Sequence, residues 1–255
     1  MAQQETVLLY PDCVYHIFSH AVHDNNFFYD DENKRFFLQK WKEYSKGFFK
    51  TYAYCLLSNH FHFGIHVESA AVLKASILAQ RKERLEEKLT FLKKKFVDKP
   101  TLLQKLLDEN IKRVAALPPV EDEDLPLLTS KQINNFLSSY VQALNKQRNR
   151  KGTLTRERFG RIKVENRTYL KDLVCYIHHN PIHHFGVASY SDWHYSSYNS
   201  YTYELENELL KKDTIVTLFG SLEAFKEYHR VYKENKQFKE MEQIVMEYEK
   251  KYKTK

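Results

Sequence analysis

The stretch Ser58-Asn59-His60-Phe61-His62-Phe63-Gly64-Ile65-His66-Val67 constrains the fold of this chain more than any other. An extended strand sends successive side chains to opposite faces, so His60, His62, Gly64 and His66 share one face. Phe61, Phe63, Ile65 and Val67 line the other, which must be buried. The apolar run Thr51–Leu57 precedes it, and the two read as a hairpin. Two imidazoles one pleat apart, His60 and His62, make a candidate divalent-metal site. In a chain with 12 histidines, a sheet face that merely carries them is the plainer alternative.

At 255 residues the chain can bury a sizeable core. It holds 18 Tyr and 17 Phe but only 6 Gly and 6 Pro, which favours long helices and aromatic-rich strands over a many-turned sheet protein. Cys13, Cys55 and Cys175 are widely spaced and lie in apolar runs, so they read as buried thiols rather than a disulfide framework or zinc knuckle. No apolar run approaches a membrane-spanning length, and Met1-Ala2-Gln3-Gln4-Glu5 lacks a signal-peptide pattern. A cytoplasmic protein with no membrane partner is expected. The net charge of +7 points to an anionic partner.

Residues 13–22 read as a first strand; its His16, Ser19 and His20 do not keep one period and are assigned no ligand role. Residues 30–45 carry Phe36, Phe37, Trp41 and Tyr44 at helical spacing behind the acids Asp30-Asp31-Glu32, with Gly47 as the stop. Residues 69–116 shift to Leu, Lys, Glu and Arg, a two-helix excursion broken at Pro100. Glu121-Asp122-Glu123-Asp124 forms an acidic linker, after which Thr129 or Ser130 caps a helix bearing Ile133, Phe136, Leu137, Tyr140 and Leu144. That helix runs into Lys146, Arg148, Arg150, Lys151, Arg156, Arg158, Arg161 and Lys163, eight bases against the single acid Glu157. Such a run is either a solvated surface or a phosphate-tracking loop. Residues 166–180 form a one-sided helix in which Pro181 closes the element at Asn180, and Tyr176 and Asn180 share a face. The charged helix at the end has little to bury in its last dozen residues and is expected to fray.

Leu57-Ser58-Asn59-His60-Phe61-His62, the approach from Phe159 to Val164, Tyr176-Ile177-His178-His179-Asn180-Pro181 and Asp192-Trp193-x-x-Ser196-Ser197 occur in this order. Together they resemble the REP-associated tyrosine transposases of the HUH superfamily of single-tyrosine transposases. The resemblance implies an α+β fold: a ferredoxin-like HUH domain with a central antiparallel sheet, over 10–67 and 129–200. The 68–128 helical insertion and the 201–255 helical extension have no counterpart in the family pattern; each is open to gripping a hairpin, mediating a homodimer or covering the site.

The same resemblance implies that His60, His62 and Asn180 hold Mg²⁺ or Mn²⁺ and that Tyr176 is the nucleophile. The implied reaction is cleavage and transfer of single-stranded DNA at hairpins through a covalent 5′-phosphotyrosine. The eight bases from Lys146 to Lys163 would then contact DNA. His66 is given a structural or supporting place, and His178, His179, His183 and His184 are read as phosphate contacts or helix-end caps before any is read as a base. Two alternatives remain open. One is a hairpin-binding protein that makes no use of Tyr176; the other is a metal phosphodiesterase that uses water.

Overall fold

A computed structural model describes residues 8–22, 25–155, 159–203, 205–234 and 237–253. In chain order the elements are β1 (Val14–His20), α1 (Asp31–Ser45), β2 (Phe49–Leu56), β3 (His60–Val67), α2 (Ala70–Lys95), α3 (Pro100–Ala115) and α4 (Leu125–Gln147). They continue with β4 (Gly160–Val164), α5 (Arg167–Phe185), α6 (Tyr198–Thr202), α7 (Lys212–Phe219), α8 (Leu222–Glu234) and α9 (Gln237–Lys253). Among the described residues the strands form one antiparallel sheet in the order β2-β3-β1-β4. With α1 and α4 as crossover helices this is a β-α-β-β-α-β path of ferredoxin-like type, the α+β class expected from sequence.

The alternation in β3 sorts the layers. Its phenylalanines face α1 and α4: the Phe37 ring lies 5.0 Å from Phe61, Trp41 4.5 Å from Phe63, and Phe136 4.8 Å from Phe37. Asp30 caps α1 by accepting from the Asn33 N–H at 2.8 Å, and Asp31 and Glu32 sit in the first turn, where the helix dipole favours acids. The opposite, histidine-bearing face is covered by α5. Gly64 makes that approach close, since a Cβ there would stand 3.4 Å from Ile177 Cδ1. The excursion after β3 is the pair α2 and α3, with Pro100 in the first turn of α3, and Phe91, Val97 and Ile111 are exposed on it.

Several expectations change. Thr129 and Ser130 lie inside α4, which starts at Leu125 with Pro126 in its first turn. The Ser130 hydroxyl donates back to the Pro126 carbonyl at 2.8 Å instead of capping. The acidic linker is partly ordered as a 3-10 turn over Asp122–Asp124. Pro181 does not end its helix: α5 continues to Phe185 and stops at Gly186, whose φ of +63° is left-handed. Proline deprives the Ile177 carbonyl of its N–H partner, but Ile177, Asn180 and Pro181 are all buried, and that packing holds the turn together. Cys55 and Cys175 are buried as expected, whereas Cys13 is only half-buried. The last dozen residues continue α9 as far as Lys253, with 254–255 outside the described residues, and of the three core residues of this helix only Val245 falls among them. Phe238, Met241 and Val245 of α9 are buried in the core.

No helix among the described residues is long and apolar enough to cross a membrane.

Candidate active site

Pairing of β1 with β3 puts His20 opposite His60, Phe18 opposite His62 and His16 opposite Gly64, so four imidazoles gather on one face. His20 stacks on His60 with centroids 4.4 Å apart, and His16 Nε2 lies 2.9 Å from His62 Nδ1. His16 and His20 do share a face, contrary to expectation. They are four residues apart on a strand, an even spacing, and only Ser19 points the other way.

The His60 tautomer is set by its neighbour. His60 Nδ1 lies 2.8 Å from Asn59 Oδ1, an acceptor, so Nδ1 carries the proton and the Nε2 lone pair is bare. His62 Nδ1 is engaged with His16, which leaves its Nε2 pointing elsewhere. Both Nε2 atoms are buried without a hydrogen-bond partner. Burial holds the His60 and His62 pKa values well below the usual imidazole range, reinforced by the neighbouring histidines, although Asn180 partly opposes the shift at His60. His16, for the same reason, is lowered to about 3. All three are neutral at neutral pH. His66, only half-buried, lies further along β3 with its ring 6.0 Å from Tyr52, apart from this group.

On α5, Tyr176 and Asn180 lie one turn apart and face the same cluster. The Tyr176 ring stands edge-on to His62 at 5.5 Å and to His16 at 5.7 Å. The Asn180 amide nitrogen donates to the Tyr176 carbonyl at 2.7 Å, which fixes its Oδ1 as an acceptor; that atom is buried and unpartnered. Sequence elements more than a hundred residues apart thus meet on one side of the sheet.

The site is roofed. Phe238 of α9 stacks on Tyr176 at 5.1 Å, Tyr248 packs against Phe18 at 5.5 Å, and Tyr176 is 2% exposed. Beside the roof a cavity of about 520 Å³ reaches His20 and His60, walled by Asn25, Asn26, Asn59 and His184. His184 adds a fifth ring, 5.0 Å from His60, and burial lowers its pKa to about 4.

His178 and His179 are buried and bonded within the protein instead of lying at the surface as phosphate contacts. His178 is fully buried in a chain of hydrogen bonds whose direction is set at both ends. The Tyr54 N–H donates to Ser197 Oγ (2.9 Å), and the Ser197 hydroxyl to His178 Nε2 (2.7 Å). His178 Nδ1–H then donates to His229 Nε2 (2.8 Å), and His229 Nδ1–H to the Phe225 carbonyl (2.8 Å). His179 lies 3.1 Å from the Tyr190 hydroxyl. The Asp192-Trp193-x-x-Ser196-Ser197 stretch closes the free edge of β2. Trp193 Nε1 donates to the Leu56 carbonyl (3.0 Å), Leu56 N–H to Tyr195, and Ser197 N–H to Tyr54. Ser197→Ala would orphan both the Tyr54 N–H and His178 Nε2, so a loss of about 2–3 kcal/mol in urea-unfolding stability is expected, with unchanged m-value.

The basic segment is split. Lys146, Arg148 and Lys151 are exposed, though Arg148 pairs with Asp30 at 2.5 Å; Arg150 is half-buried and donates to Asn145 at 3.1 Å. Arg161 is buried with its guanidinium 4.3 Å over the Phe159 ring. Its register partner Ile17, opposite Phe63, places it on the face away from the histidines, and Lys163 follows at the same parity. Arg156 and Arg158 lie outside the described residues.

No protein-family model and no curated protein matches the chain. Among solved structures, a REP-associated tyrosine transposase bound to a REP hairpin is similar at 11% identity and a TM-score of 0.48. The match covers 83% of this chain and 94% of that one.

Proposed function

We propose that this chain is a divalent-metal-dependent enzyme that nicks and rejoins single-stranded DNA at hairpins, with Tyr176 as nucleophile. One observation carries the reading: His60 Nε2, His62 Nε2 and Asn180 Oδ1 are buried polar atoms without partners, on side chains grouped beside the Tyr176 ring, with the His60 and His62 rings 5.1 Å apart and Asn180 acting on His60. Each such orphan costs about 1–3 kcal/mol, and one cation would satisfy all three. Two neutral imidazoles and an amide oxygen suit Mn²⁺ better than Mg²⁺ in affinity, and they leave positions for DNA oxygens. When bound, the cation supplies charge neutralisation at the phosphoryl oxygens.

The chain's own residues do the rest. His16 and Asn59 hold the His62 and His60 rings by their Nδ1 atoms, so the two Nε2 atoms keep a fixed aim. The Tyr176 oxygen forms a bond to phosphorus and gives up its proton, while the 3′-oxygen in line with it leaves and is protonated to a 3′-hydroxyl. The downstream strand stays on Tyr176 through its 5′-phosphate until another 3′-hydroxyl reverses the step, with tyrosine as leaving group. Exposed Lys146 and Lys151 are free to track phosphates of the bound strand. Phe238 must swing off Tyr176 before DNA can reach it.

The test is to incubate the full chain with a labelled single-stranded hairpin and Mn²⁺. A denaturant-resistant DNA adduct that peptide mapping places on Tyr176 is expected. The cover of α9 over Tyr176 favours one other reading, a hairpin-binding protein without cleavage. Hairpin binding with no adduct at any Mn²⁺ concentration would establish that reading and overturn ours.

A further inference from the structure

A second cluster of metal-ligating side chains lies where the end of α5 meets α9. His183 and His184 of α5 and Glu242 of α9 bring one ligand atom each to within 4.8 Å of one another. His183 Nε2 stands 3.2 Å from Glu242 Oε2. Ligands 2.0–2.1 Å from a tetrahedral zinc are about 3.3 Å apart, so this pair already has the spacing of one edge of such a site. His184 completes the triangle with a ligand atom no more than 4.8 Å from the other two. The carboxylate also supplies a negative charge that the His60, His62 and Asn180 set lacks, and two imidazoles with one carboxylate form a recurrent zinc ligand set.

We infer that His183, His184 and Glu242 form a separate site for a Zn²⁺-class transition ion that ties α9 to α5. Glu242 lies one helical turn beyond Phe238, and the His183 ring is 4.5 Å from the Phe238 ring. An ion held there pins Phe238 over Tyr176 and keeps the roof shut. The site stands on its own geometry, whereas its effect as a brake rests on the proposed role of Tyr176. Two helices otherwise joined by side-chain packing become cross-linked by coordination. Glu242 is the one ligand of the three on α9, so it is the residue on which the tie depends.

The experiment titrates Zn²⁺ alone into the full-length H60A/H62A chain, from which the first set of ligands is gone. One equivalent is expected to bind, at least about tenfold more weakly once E242A or H183A is added, with Mg²⁺ failing to compete. Zn²⁺ should slow amide hydrogen exchange along α9 in this background and leave it unchanged with E242A. If H60A/H62A does not fold, a drop of one bound Zn²⁺ from wild type to E242A reads the same quantity. Absence of binding, binding indifferent to E242A and H183A, or zinc lost only with His60 and His62 overturns the site. None of these readouts depends on DNA cleavage. The brake is read separately: Zn²⁺ should lower adduct formation in the wild type but not in E242A, and equal inhibition of both overturns it.

Discussion

Phenylalanine at position 176 is expected to abolish the covalent DNA adduct, lowering strand cleavage by at least about a thousandfold while hairpin binding persists. The substitution removes one oxygen and keeps the ring, so the edge contacts to His16 and His62 and the stack under Phe238 survive. Thermal stability serves as the control for that retention. A residual activity that releases free 5′-phosphate would instead mean that water is the nucleophile and that His60, His62 and Asn180 serve a phosphodiesterase. Persistence of the adduct in Tyr176→Phe would move the nucleophile to another tyrosine in this Tyr-rich chain. Either outcome refutes the assignment of Tyr176.

The hairpin of β2 and β3 was legible because its signal is local: alternation with period two needs no knowledge of the partner strand. Asp30 and the acids after it mark the start of α1 for the same reason. The end of α5 was not legible. Proline is a stop by local rules, but burial of Ile177, Asn180 and Pro181 outweighs the lost hydrogen bond and carries the helix another turn. That extra turn delivers His183 and His184 to α9. In α9 the apolar residues Phe238, Met241, Val245 and Tyr248 recur at helical spacing beneath a high charge content, and composition obscured the stripe.

The site divides similarly. Short motifs single out His60, His62, Tyr176 and Asn180, and the structure gathers them on one side of the sheet. His16 and His20 are hidden by Ser19, which breaks the period, although even spacing alone puts the two on one face. Their meeting with β3 depends on long-range register, Phe18 opposite His62, which no local pattern contains. The basic segment shows the converse. Charge density in sequence does not say which way a strand faces, and Arg161 turns inward over Phe159.

The gathering of so many neutral, buried imidazoles has a large expected consequence for the metal-free chain, which should unfold cooperatively between pH 6.5 and 4. His16 and His229 are fully buried with folded pKa values lowered to about 3, chiefly by desolvation, and His60, His62 and His178 are shifted the same way. In the unfolded chain each titrates near 6.5. Their contribution to stability is therefore complete above pH 6.5 and drains away as pH falls toward the folded values, because the unfolded state takes up protons that the folded state refuses. Each such histidine contributes a slope of about 1.4 kcal/mol per pH unit. For His16 and His229 alone the loss by pH 4 is roughly 6–7 kcal/mol, comparable to the whole stability of an ordinary domain. Urea unfolding followed at intervals from pH 7.5 to 4 measures it, and the slope counts the protons. A stability that stays level over that range would mean that these rings are protonated in place, and the hydrogen-bond directions assigned to them would be wrong. Saturating Mn²⁺ should move the transition to lower pH, since an ion on bare Nε2 atoms competes with protons for them.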